Sequence, residues 1–353
     1  IFMISVSTIR VQETKKQQAT AYTEMVQSIR DKKDAADASI IYGDTEKALI
    51  LLQEGETLIA QLDTNSEEKQ TLALELTSDI QAILKTLQKI TIVSPTLIGD
   101  LATEHPEAQT THIEKIDDTL LIYGTDDSSH YKINLVSKQI TAKQHDAIPN
   151  LRAANTPKEK DKIIFLAGDN NIAEFDPETN GISQKDITHS NSATVLSDIV
   201  VYNRKLYALA PSENQIYKYS QIQTGYDKGS SWVTSPGVNI ESAVSLAIDG
   251  DIFVLTSDGK IVKFASGKKQ DFGISGLDPK LDTPTKIWTY NDVDSLFILE
   301  PTNKRVVQLN KDGEFEAQFT AEEWSNPTDM IVDNEHDLIY IIDSQKIYSF
   351  SLL

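Results

Sequence analysis

Cysteine is missing from all 353 residues. Disulfides, thiolate nucleophiles and Cys-ligated zinc or iron–sulfur centres are therefore excluded. Basic residues are scarce, 33 against 53 acidic, and the formal net charge is −20. That balance excludes nucleic acid, whose phosphates need a basic face. It also makes the folded body a poor match for an anionic lipid surface. Catalytic signatures are missing as well: there is no G-x-S-x-G, H-E-x-x-H, P-loop or dinucleotide fingerprint. The six histidines (His105, His112, His130, His145, His189, His336) follow no ligand-like spacing. What is present, 39% hydrophobic and 24% charged residues, suffices for a packed core.

The scarcities are uneven along the chain. All 11 prolines lie at or after Pro95, and before residue 91 the only glycines are Gly43 and Gly55 and the only aromatics Phe2, Tyr22 and Tyr42. This shift predicts a helical stalk over 1–90 and a second domain over 91–353. Tyr22, Met25, Val26 and Ile29 follow helical spacing, as do Ala48, Leu49, Leu52, Leu58, Ile59 and Leu62, then Leu72, Leu76, Ile80, Ile83, Leu84 and Leu87. Tyr42-Gly43-Asp44 reads as a helix stop followed by an Asp N-cap, and Asn65 with Glu68 has capping-box spacing. The pattern is a long first helix followed by a helical hairpin, much like one TPR-type unit. Such a stalk is a spacer or a route to oligomerisation. The apolar opening Ile1-Phe2-Met3-Ile4-Ser5-Val6 is far short of the ~20 residues of a bilayer span. It is expected to be the end of a transmembrane helix, covering about 1–9, or else an ordinary helix start.

Beyond residue 95 the chain repeats. Apolar runs begin at Leu120, Ile163, Leu206, Ile252, Leu296 and Ile339, spaced 43, 43, 46, 44 and 43. Alternating runs follow from Tyr131, Ile172, Ile216, Ile261, Val306 and Ile347, with Asp, Asn, Ser and Gly turns between. A further strand precedes each pair, as in Lys286-Ile287-Trp288-Thr289, and a fourth often follows. Four strands every ~44 residues, six times, predict a mainly β fold: a six-bladed β-propeller with an N-terminal helical stalk. The last repeat stops one strand short. Thr96–Leu101, belonging to no repeat, is expected to supply that strand and close the ring.

Pro327-Thr328-Asp329-Met330-Ile331-Val332-Asp333 with Leu338–Asp343, and Thr302–Gly313, resemble NHL or YVTN-type repeats. The resemblance covers about 96–353. The family's Asp after the second strand stands as Asp343 and is Glu300 one repeat earlier. Propellers of this type are similar to the extracytoplasmic sensor regions of bacterial membrane kinases and of PPM-type phosphatase proteins. The resemblance implies a bacterial cell-membrane location, with the propeller extracytoplasmic and tethered through a segment at or before Ile1. Its partner would be a protein or other extracellular ligand.

On that reading the chain is not an enzyme, and no catalytic residue, metal or cofactor is assigned. It is a binding, sensor or scaffold module. Its partner face gathers the loops between second and third strands and between repeats: Asp126, Asp127, His145, Asp169, Asn170, His189, Glu213, Asn214, Asp258, Asp278 and Trp324. Trp324 either anchors a partner or packs between blades. The alternative is a calcium-dependent propeller hydrolase of lactonase or esterase type, with Glu114, Glu241 and Asp329 pointing into the central channel. The paired carboxylates Asp117-Asp118, Asp126-Asp127 and Asp292/Asp294 are solvated turns or calcium ligands. Residues 1–90 carry a net −4 and the remainder −16, so the acidity belongs to the β domain.

Overall fold

The computed structural model describes residues 2–145, 147–190 and 194–352, with side chains from residue 16 onward. Two compact units emerge: 1–90 with 275–279, and 91–274 with 280–353.

The first unit is built from α1 (Phe2–Ile41), α2 (Thr45–Ile59) and α3 (Glu67–Leu87). Helical periodicity places Val26, Ile29, Leu49, Leu52, Leu76, Ile80 and Leu84 in one buried core. Gly43, at φ +77°, ends α1, and Asp44 caps α2 by accepting from Lys47 N at 3.1 Å. The cap of α3 is Ser66, not the expected Asn65. Asn65 N donates to Asp63 Oδ1 at 3.2 Å, which ties it into the preceding turn. Gly55 lets α2 approach α3: a Cβ there would stand 2.7 Å from Ile80 Cδ1. Asp278 belongs to this unit, accepting from Gln53 Nε2 at 2.6 Å and Gln88 Nε2 at 2.9 Å. The expected membrane segment at 1–9 concerns Ile1 and side chains outside the described residues. Among the described residues, no helix is long and apolar enough to cross a membrane.

The second unit is a β-propeller arrangement of five hydrogen-bonded sheets. Three have four strands, one has five and one has nine. The nine-stranded sheet joins the second and third repeats through a parallel pairing of Gly181–Thr188 with Gly225–Lys228. Gly225 permits the contact, since a Cβ would fall 2.0 Å from Asp186 O. The innermost strands are His112–Ile116, Leu151–Asn155, Asp198–Tyr202, Ala243–Ile248, Lys286–Trp288 and Pro327–Asp333. Each packs on the next, and the last packs on the first. Thr96–Asp100 pairs antiparallel with Lys346–Ser351 as the outer strand of the last sheet, with Leu97 opposite Tyr348 and Asp100 opposite Lys346. The ends of this unit are thereby held in one sheet, as the repeat arithmetic anticipates. The largely apolar second strands, such as Ile163–Ala167 and Ile252–Thr256, are buried along their whole length.

Candidate functional site

An innermost propeller strand is paired on one side only. Its other edge leaves backbone groups facing the channel, and these need partners. Here side chains from the neighbouring inner strand supply them. Asn155 Oδ1 accepts from Val201 N at 2.8 Å, and Asp198 Oδ2 from Leu246 N at 2.9 Å. Ser245 Oγ accepts from Ile287 N at 3.4 Å, and Asp329 Oδ2 from Ile113 N at 3.2 Å. The two remaining junctions are bridged side chain to side chain. Thr156 Oγ1 donates to Glu114 Oε2 at 2.8 Å, and Lys286 Nζ lies 3.7 Å from Asp329 Oδ1.

Register explains why these residues meet. His112, Ala153, Asp198, Ser245, Lys286 and Asp329 each lie opposite the fourth residue of the apolar run in their second strand: Tyr123, Leu166, Leu209, Leu255, Leu299 and Ile342. They form one level around the channel. Glu114 stands one step along, opposite Leu121.

A cavity of about 190 Å³ occupies the channel, with Glu114, Asp198 and Lys286 in its wall and Trp288 and Asn155 beside them. It opens among the turns that join first to second strands, at Lys158, Tyr290 and Asn334. Glu114 is 3% exposed, and burial, only partly offset by Lys286 and Thr156, pushes its carboxyl up to about 7. Burial likewise raises Asp198. Asp329 is held below the usual carboxylate range: burial opposes this, but Lys286, His112 and the Ile113 N–H outweigh it. For Lys286, burial alone would favour the neutral amine, yet Asp329, Asp198 and Glu114 together keep the ammonium more firmly charged than usual. The site thus pairs a fixed cation with a carboxyl that gains and loses its proton near neutrality. Asp198 and Asp329 have little freedom, because each also accepts from the N–H that follows it.

These residues do not fit a calcium ion. The ammonium of Lys286 already supplies the positive charge, and the oxygens of Asp198 and Asp329 are committed to backbone N–H groups. Among the described residues, three acidic or histidine ligand atoms lie within 4.8 Å of one another only at Asp333, Glu335 and His336. There Asp333 already pairs with Lys115 at 3.1 Å and Glu335 with Lys160 at 2.7 Å.

Of the residues expected in the channel, Glu114 and Asp329 are there, whereas Glu241 is exposed in a turn. Asp198, Ser245 and Lys286 escaped the sequence reading. The signal was available, since Lys286 opens a predicted inner strand 43 residues before Asp329.

The expected partner-face residues mostly serve the fold. Trp324 is 2% exposed and packs on Phe350 at 5.6 Å, so it packs internally. His145 and Asp278 are buried too, a correction to their placement on an open face. Asp127 accepts from Gln109 N at 2.9 Å. Asn170 and Asn214 accept from Leu196 N at 2.8 Å and Ile240 N at 2.6 Å. Asp343 holds the N–H groups of Ser325 and Asn326, and Glu300 that of Asp282. His189 bridges Tyr219 Oη and Asn170 O. Glu213 accepts from Tyr217 Oη at 2.5 Å, Asp258 binds Lys260, and Asp169 acts on Arg152 through its charge. Asp126 borders a shallow recess with Thr125 and Gln345.

No protein-family model and no curated protein matches the chain. Solved structures do resemble it. Virginiamycin B lyase from Staphylococcus aureus, as its selenomethionine form, aligns with TM-score 0.51 and 16% identity over 74% of this chain and 99% of its own. A protein described as a candidate gluconolactonase aligns with TM-score 0.54 and 11% identity over 75% and 94%. At these identities the likeness is one of fold. It overturns the expectation that the chain is not an enzyme. That expectation rested on missing motifs, yet the fold shared here carries enzymes whose sequences are barely similar.

Proposed function

We propose that the chain is a six-bladed propeller enzyme of hydrolase type, acting on a lactone or ester small enough for the channel cavity. Six blades follow if the nine-stranded sheet is counted as two repeats joined at their outer edges. The carrying observation is the buried Glu114 carboxyl beside the Lys286 ammonium in one cavity. A carboxyl near 7 can take a proton from water and return it to a leaving oxygen. An ammonium that stays charged stabilises the oxyanion that develops on the carbonyl. Thr156 orients Glu114, while Asp198 and Asp329 hold Lys286 in its charged form. The two solved structures with a lyase and a candidate gluconolactonase on this fold support the reading.

The experiment is turnover of a panel of γ- and δ-lactones and short aryl esters. The wild type should show a rate inflection near pH 7, with Glu114→Gln at least about 100-fold slower in kcat. An inactive wild type, or a Glu114→Gln variant as fast as its parent, would refute the assignment.

A further inference from the structure

A second cluster of chemistry-bearing side chains lies away from the channel, between the first and second repeats. His130, on the strand Ser129–Asn134, is 1% exposed, and neither ring nitrogen makes a well-formed hydrogen bond. His145, just past the strand Ile140–Gln144, is 7% exposed. Its Nδ1 lies 3.0 Å from Ile148 O, so Nδ1 carries the proton and donates it. Nε2 is buried and without a partner. Asn180, in the turn before Gly181–Thr188, is a hydrogen-bonding neighbour of His130, and its buried Oδ1 makes no well-formed hydrogen bond.

Orphaned buried polar atoms are costly, so several together imply something that satisfies them. A histidine that donates one N–H to a backbone carbonyl and turns its other nitrogen inward has the arrangement of a metal ligand. The two rings are 5.7 Å apart at their centroids. Two imidazoles on one ion, each bound at about 2.05 Å, have centroids about 5–6 Å apart.

We propose that His130, His145 and Asn180 hold a divalent transition-metal ion of the zinc, cobalt or nickel kind. Lys132 and Lys143 act electrostatically on His130, and their charges would repel a cation, so the ion must be held by coordinate bonds to imidazole. That selects an imidazole-binding metal over calcium or magnesium. The ion would tie the two repeats together, and the site stands apart from the channel and from its proposed reaction.

The test is zinc titration of the whole chain at pH 7.5, followed by thermal unfolding and by Co2+ absorption. One ion per chain should bind, show the bands of a four-coordinate cobalt site, and raise Tm by about 3 °C or more. His130→Phe and His145→Gln should abolish both effects, while His336→Ala, in the Asp333 cluster, should leave them intact. Should the variants fail to fold, imidazole nitrogen resonances of the wild type report the same thing: two buried rings must shift with zinc. Absence of binding, survival in both histidine variants, or loss in His336→Ala would overturn the proposal.

Discussion

Lys286 Nζ lies 3.7 Å from Asp329 Oδ1, a cation and an anion from adjacent inner strands meeting within the wall of the channel. Glu114 and Asp198 share the same ammonium electrostatically. Replacing Lys286 by Met would leave the carboxylates uncompensated, and a loss of about 3–5 kcal/mol is expected. Because Lys286 lowers Glu114, the pH inflection of any activity should also move above 7. Chemical denaturation and a pH–rate profile together read both effects. An unchanged midpoint would mean that the ammonium does not hold the carboxylates.

Glu114 makes stability depend on pH with a definite sign. Its carboxyl is raised from 4.5 to about 7 in the folded chain. The folded state therefore binds the proton more tightly than the unfolded state. The contribution is complete below pH 4.5 and is lost as pH rises through 7. It amounts to on the order of 3 kcal/mol. Denaturation curves at pH 5 and pH 8 should converge for Glu114→Gln relative to the wild type. Equal pH dependence in the two proteins would show that Glu114 titrates normally.

The turn carboxylates latch loops, and Asp343 is the fullest example. It accepts from Ser325 Oγ at 2.7 Å and from the Asn326 N–H at 3.1 Å, and it also holds Ser325 N. Asp343→Ala should cost about 2–4 kcal/mol through orphaned donors. Ser325→Ala, which keeps the backbone contacts, should cost less than half of that.

Gly55→Val tests the helical unit alone. The added Cβ would meet Ile80 Cδ1 at 2.7 Å, so α2 and α3 must separate or Ile80 must change rotamer. A loss of about 1–3 kcal/mol is expected. Gly43→Ala, where nothing lies within 4 Å but φ is +77°, should cost about 1 kcal/mol through backbone strain alone.

The strands were legible because each apolar run carries its own period and its own turn, and local chemistry suffices for that. Closure by Thr96–Asp100 was legible by subtraction, as one strand was spare and one was lacking. The channel site was not legible. Lys286, Asp329, Glu114 and Asp198 are single residues from four different repeats, and what unites them is the register between strands. No short motif records that. Asp127, Asn170 and Asn214 misled for the opposite reason. Their turn positions were right, but a turn carboxylate or amide equally serves a neighbouring N–H, and only the folded geometry shows which it does.

Those latches fall into two sequence separations. Asp127, Glu300 and Asp343 reach back 18 residues, within their own repeat. Asn170 and Asn214 reach forward 26, into the next one. The second group, with the parallel seam at Asp186 and Gly225, adds ties between successive repeats across repeats two to four. That stretch should behave as one cooperative opening unit in hydrogen exchange, its amides sharing a single protection free energy.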